Sequence, residues 1–269
     1  MKYFQTFETF ISNTTVGNGI EISYQTGPSQ RMQMGVSSRK SKIAIYFDRG
    51  VKPGTISVWN SLTSKYFNIF TDSLDLGELT LDKLKDYDLL IMPGGESATI
   101  EHDLEPEHRD AIKEYAKQGG KILGVCAGAY VISSGDNALD MLPVDFVAID
   151  EISEDVLFLD FEITNKGHEV FNTELDSIKL DYHQGPIFHL TEQRDGLEIL
   201  LKFDSDVEHI IKDEKPIQSI GKIAALMCDY GKGRVMAISP HLEKSNPPAI
   251  ELIANAISYL IEKRRFEIF

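Results

Sequence analysis

The sequence predicts an α/β fold, a three-layer sandwich with a central, mostly parallel sheet. From about residue 41 onward, short β-branched runs alternate with stretches of helical apolar spacing, the pattern of parallel strands joined by crossover helices. The chain has 269 residues, enough for one large α/β domain with a full core. Its 42% apolar and 26% charged residues are those of an ordinary globular protein and argue against disorder.

Element by element, Lys42 to Phe47 reads as the first strand, followed by a Gly50 to Gly54 loop and a helix through Val58 and Leu62. Tyr66 to Phe70 reads as the second strand, and Asp88 to Met92 as a third that ends at Pro93-Gly94-Gly95. Leu104, Ala111, Ile112 and Tyr115 then recur at helical spacing, with Pro106 near the start and Gly119 just past the end. Lys121 to Val125 is a fourth strand that runs without a spacer into Cys126. From about 144 to 240 strands are denser: Val156 to Ile163, Ile178 to Tyr182, Glu198 to Phe203, Ile223 to Met227 and Arg234 to Ile238. Hairpins explain this spacing better than helices, and Tyr230-Gly231-Lys232-Gly233 is a turn sequence between the last two. Asn246 caps a closing helix with Pro248 in its first turn and an apolar face of Ile250, Ile253, Ile257, Leu260 and Ile261. Residues 1–40 are polar, with Asn13-Thr14-Thr15, Gly17-Asn18-Gly19 and Ser37-Ser38-Arg39-Lys40 around one alternating stretch, Ile20 to Tyr24. They read as an appendage, a hairpin or an arm, ahead of a single domain over 41–269.

Charge and cysteine usage exclude several classes. Lys and Arg total 27 against 42 Asp and Glu, a balance of −15, so a nucleic-acid backbone would be repelled by the whole molecule. No run approaches the about 18 apolar residues of a membrane span, and the N-terminus lacks an apolar signal core. Two cysteines, Cys126 and Cys228, make no disulfide framework or zinc knuckle. A cytoplasmic location with no nucleic-acid or membrane partner is expected.

The strongest local signal is Gly124-Val125-Cys126-Ala127-Gly128, a G-x-C-x-G segment where an apolar strand turns sharply into a helix. Such an elbow strains its central residue and needs small neighbours. It would present Cys126 at the carboxyl edge of the sheet, beside helix N-terminal N–H groups that favour a thiolate. The plainer reading is a buried small hydrophobe in a glycine-rich packing site. A nucleophilic cysteine needs a base and a group that orients it. Of seven histidines, His241 follows the strand Arg234 to Ile238, and Glu243 stands two residues on, where an extended loop turns both side chains to one side. Oxyanion donors are a third requirement. Pro93-Gly94-Gly95-Glu96-Ser97 and the Ala127 N–H supply them if their strands are neighbours, at the edge where open α/β sheets place ligands.

Other residues have weaker patterns. His183 and Gln184 follow a strand and line the cleft, or are simply solvated. His102, Asp103 and His108 resemble metal ligands, but their spacing puts the histidines on different helix faces, so no metal is expected. Glu101, Glu105, Glu107 and Asp110 read as the solvated N-terminus of one helix. Cys228, inside a strand, reads as core.

Three segments together, Met92-Pro93-Gly94-Gly95-Glu96-Ser97, Gly124-Val125-Cys126-Ala127-Gly128 and Ser239-Pro240-His241-Leu242-Glu243, resemble the class I glutamine amidotransferase-like superfamily in order and spacing. Gly50 to Thr55, Gly119 to Tyr130 and Tyr182-His183-Gln184-Gly185-Pro186-Ile187-Phe188 are similar to the N-terminal domain of biotin protein ligases and its stand-alone relatives. The resemblance covers residues 42 to 262. It implies a flavodoxin-like sandwich with a Cys-His-Glu triad: Cys126 as nucleophile, His241 as base, Glu243 as its orienting acid, Gly95 and Ala127 as oxyanion donors. No cofactor is implied. The substrate implied is a small molecule with an amide or related carbonyl, cleaved through a thioester, and a separate synthase or ligase is a possible partner. The chain departs from glutaminase subunits at Ala129-Tyr130, where those commonly carry Leu or Phe followed by Gln. Two rival readings are a non-catalytic module that binds a small molecule and a cysteine that senses oxidation.

Overall fold

The computed structural model describes residues 23–26, 30–33, 41–66, 70–135, 137–147, 156–207 and 217–262. The chain divides into two units, 1–40 and 41–269. In the first, β1 (Ser23–Thr26) and β2 (Gln30–Gln33) pair antiparallel, from Ser23 opposite Gln33 to Thr26 opposite Gln30. The polar signals at 13–19 and 37–40, and the start of the alternating stretch at Ile20, lie outside the described residues.

The second unit begins with β3 (Lys42–Tyr46), α1 (Thr55–Tyr66), β4 (Phe70–Leu74), the single turn α2 (Leu81–Leu84) and β5 (Leu89–Met92). Next come α3 (Ser97–Asp103), α4 (Pro106–Lys117), β6 (Lys121–Val125), α5 (Ala127–Ile132) and β7 (Val144–Phe146). The later half holds β8 (Leu157–Ile163), α6 (Asn165–Phe171), β9 (Ser177–Tyr182), β10 (Phe188–Leu190), β11 (Glu198–Phe203), β12 (Ile223–Tyr230), β13 (Gly233–Ile238) and α7 (Pro247–Glu262). The main strand order is β4-β3-β5-β6-β13-β12-β11-β8-β9, with β10 beside β12 and β7 beside β10. The first five are parallel. The rest join antiparallel, so the whole sheet is mixed around a parallel core.

Strand side chains alternate between faces, and the central strands are apolar on both because helices cover both. Ile43, Ile45, Leu123 and Val125 share one core with Trp59 and Leu62 of α1 and Ile253, Ile257 and Leu260 of α7. Their neighbours Ala44, Tyr46 and Ile122 share the other with Ile112 and Tyr115 of α4 and Val131 of α5. These two cores make the three layers. Pro106 opens α4 at its first position, and Asn246 Oδ1 accepts from Ala249 N–H (3.1 Å) to cap α7, both as the sequence predicts. The β12–β13 hairpin turns through Gly231 at φ 61°.

Three expectations need correction. The helix continues through Tyr66, so the strand expected at Tyr66–Phe70 begins only at Phe70. It is an edge strand whose centre, Thr71-Asp72-Ser73, lacks an apolar run. Between β8 and β9 the chain makes α6 where only strands are expected; Thr164 caps it by accepting from Gly167 N–H at 3.0 Å. The acidic run belongs to two helices: Glu101 ends α3 and is partly buried, whereas Glu105 and Glu107 open α4 in solvent.

Candidate functional site

Cys126 stands where β6 ends and α5 begins, with φ 52° and ψ −109°. Such a conformation in a residue with a side chain costs on the order of 1–3 kcal/mol and persists only when its surroundings hold it. Two backbone bonds do so: Cys126 N–H donates to Ile238 O (2.9 Å), and Gly128 N–H donates to Pro93 O (3.1 Å). The glycines at 124 and 128 are steric necessities. A Cβ on Gly124 would lie 2.5 Å from Gly128 O, and one on Gly128 would run into the carbonyl of Met92.

β5 and β13 are the two neighbours of β6, so the Gly-Gly loop and the His241 segment flank the elbow. His241 Nδ1 lies 2.8 Å from Glu243 Oε1, and both residues are buried. The short 3₁₀ turn Leu242–Lys244 brings the carboxylate back under the ring, and His241 N–H is anchored on Asp181 O (2.8 Å). The imidazole also stands within electrostatic reach of Cys126. Burial pulls the His241 pKa down, but the Glu243 charge and the contacts with Cys126 outweigh it, and the ring is pushed up to about 10. Glu243 Oε2 has no hydrogen-bond partner among the described residues. Asp181 is held above the usual carboxylate range by burial and by Glu243, against the pull of His241 and Lys244.

Gly94 has a packing role that its place in a loop does not reveal. A Cβ there would come within 2.7 Å of His241 Cε1 and 3.6 Å of Cys126 Cβ, so glycine leaves the ring its place. Gly95 bridges to Val51, and a Cβ on it would overlap Gly50 O. Glu96 N–H donates to the same oxygen (2.7 Å), while the exposed Glu96 carboxylate accepts from Thr99 Oγ1 (2.8 Å).

The loop after β9 covers the sulfur. His183 O lies 3.4 Å from Cys126 Sγ, Gln184 takes φ 53°, and Tyr182 OH donates to Gly185 O at 2.6 Å. Cys126 is accordingly only 6% exposed. His183 thus meets Cys126 through its backbone. Cys228 is fully buried, and burial pushes its thiol up to about 11.

Sequence reasoning missed two residues near Cys126, Tyr130 and Tyr182, whose hydroxyls are within electrostatic reach of the sulfur. For Tyr130 the available signal is its position one helical turn after the cysteine. His102 and His108 fall on separate helices, and among the described residues no group of three or more His, Cys, Asp or Glu could hold a metal. No helix among the described residues is long and apolar enough to cross a membrane.

The family model "Biotin-protein ligase, N terminal" matches residues 80–137, the stretch with the Gly-Gly loop and the elbow. A curated relative, the pyridoxal 5'-phosphate synthase subunit PdxT of Nitrosopumilus maritimus, is 28% identical over 144 residues, 49% of this chain and 66% of the relative. The match therefore spans just under two thirds of that protein. PurLQS from Thermotoga maritima superposes with a TM-score of 0.56 at 16% identity, over 82% of this chain and 100% of that one. In these comparisons the chain is similar, over part of its length, to class I glutamine amidotransferase-like proteins. A protein described as ThuA-like, from Bacteroides uniformis, superposes at TM-score 0.60 and 15% identity, over 84% of this chain and 94% of that one. Likeness at such identity establishes architecture, and the chemistry of this amidotransferase-like domain has to be argued from its own site.

Proposed function

We propose that this amidotransferase-like domain is a hydrolase that cleaves an amide or related carbonyl through a thioester on Cys126. The observation that carries the reading is the buried His241–Glu243 contact of 2.8 Å, with Gly94 set between the same ring and the Cys126 side chain. Glu243 fixes the ring orientation and stabilises its positive charge. His241 takes the thiol proton, and the sulfur attacks the carbonyl carbon. The amide N–H groups of Gly95 and Ala127 stabilise the oxyanion. When the C–N bond breaks, His241 returns its proton to the leaving nitrogen, which departs as ammonia or an amine. Water then adds to the thioester with His241 as base, releasing the acid and restoring the thiol. Glu96, His183 and Gln184 border this space, and Gly94 gives the imidazole room.

The relative PdxT is a synthase subunit, so we propose that a separate synthase or ligase is a partner that takes up the released nitrogen. Ammonia release from glutamine and other primary amides, with and without cell extract, tests the reaction. Iodoacetamide at neutral pH is expected to modify Cys126 far faster than Cys228, with the difference lost in His241→Ala. A Cys126 no faster than Cys228 sinks the proposal. The burial of Cys126 under the His183 carbonyl favours a second reading, a binding module that keeps the elbow without turnover; it expects a bound small molecule and no acyl adduct.

A further inference from the structure

His241 and Glu243 share one short turn, and a residue outside the Cys-His-Glu set closes its ends. Ser245 Oγ–H donates to His241 O at 2.7 Å, and Ser245 Oγ accepts from Asp181 N–H at 2.9 Å. His241 N–H in turn donates to Asp181 O at 2.8 Å. The three bonds form a closed ring through His241, Ser245 and Asp181, in which both backbone groups of Asp181 take part. β9, which carries Asp181, is the last strand of the sheet, with β12, β11 and β8 between it and β13. Its outer edge would otherwise present unpaired backbone groups, and the segment after β13 occupies it. His241 itself has φ −93° and ψ 78°, outside the helix and strand regions, so no regular ladder fixes its backbone. The ring has little freedom of its own: a Cβ on Gly94 would come within 2.7 Å of Cε1, and Glu243 Oε1 lies 2.8 Å from Nδ1. A backbone shift of a few tenths of an ångström would therefore be felt in that contact. Serine suits the position because one hydroxyl both donates and accepts.

We propose that Ser245 is a positioning residue for the base: by joining His241 O to Asp181 N–H, its hydroxyl sets the turn that holds the imidazole against Glu243. This role rests on the reading of His241 as the base of the proposed hydrolase. Ser245 acts through the backbone of His241 and touches neither the sulfur nor the substrate. Asn246, the next residue, fastens the chain beyond the turn: its Nδ2 donates to Lys179 O at 3.0 Å while its Oδ1 caps α7.

Two readouts on the full chain test the role: titration of the His241 ring by NMR, and the rate at which iodoacetamide alkylates Cys126, followed by peptide mass spectrometry. Ser245→Ala is expected to lower the His241 titration midpoint from about 10 toward its ordinary value. It is also expected to slow alkylation at neutral pH about fivefold, the scale of one hydrogen bond. Ser245→Thr, which keeps the hydroxyl, is expected to restore both. Asn246→Ala is the control for general loosening, expected to lower the melting temperature and leave both readouts at wild-type values. A Ser245→Ala protein that melts earlier with both readouts unchanged overturns the positioning role, and so does an equal shift in Asn246→Ala. A wild-type Cys126 alkylated no faster than Cys228 overturns the nucleophile reading, while the His241 titration still decides for or against Ser245. If Ser245→Ala does not fold, amide hydrogen exchange in wild type decides: retarded exchange at both Asp181 and His241 supports the ring of bonds, and exchange at the rate of an exposed loop at either one overturns it.

Discussion

His241 holds a proton tightly, against the effect of its burial, because it faces the carboxylate of Glu243 and stands near Cys126, and this placement has a consequence for stability. Its pKa rises from 6.5 to about 10 on folding. A group whose pKa is raised in the folded state contributes stability that is complete below the unfolded value and is lost as pH climbs through the folded one. The His241 contribution should therefore be full below pH 6.5 and decline toward pH 10. Thermal melts across that window are expected to fall more steeply for wild type than for Glu243→Gln, which lacks the charge that raises the ring. Parallel pH profiles for the two proteins would contradict the assignment of Glu243 as the partner. The same substitution is expected to slow iodoacetamide alkylation of Cys126 by about tenfold or more, since it removes the charge that stabilises the protonated ring.

The elbow is an element-scale device. β6 supplies a strand end, α5 a helix start, and two glycines let α5 approach β5 and β6 closely enough for Gly128 to bond Pro93. Gly128→Ala drives a methyl group into the Met92 carbonyl and is expected to cost about 3 kcal/mol in urea unfolding, the scale of overpacking a rigid site. Gly221, at φ 78° with open space around it, offers the contrast: Gly221→Ala should cost about 1 kcal/mol, from backbone strain alone. Equal costs would mean that the elbow relaxes around the added methyl group.

Glycines with such strict duties explain why this part of the fold was legible. Gly124, Gly128, Gly94 and Gly95 are local signals that any chain making these turns must carry, and the β5, β6 and β13 runs around them are apolar on both faces. Other elements lack that clarity. β4 is an edge strand with a polar centre, and α6 has Asn165, Lys166, Gly167 and His168 in its first turns, so neither shows an apolar period. The meeting of His241 with Glu243 and the elbow at Cys126 were readable because each of these residues follows a strand end at short range. The backbone contact of His183 with Cys126 depends on how the loop after β9 folds back, a relation that no local pattern carries.

At the scale of the whole molecule, the parallel core places three loops from β5, β6 and β13 at one carboxyl edge, while the antiparallel strands of the later half bring the His183 loop over it. The first arrangement brings Cys126, His241 and Glu243 to one edge, and the second covers the sulfur. The excess of 15 negative charges gives the molecule a field that favours cationic or neutral ligands over anionic ones. The central claim is that Cys126 forms a thioester. Peptide mass spectrometry after incubation with a panel of primary amides, quenched in acid, tests it most directly. The account predicts an acyl adduct on Cys126 that is absent in Cys126→Ser and reduced in His241→Ala; no adduct from any amide, with Cys126 alkylated no faster than Cys228, would contradict it.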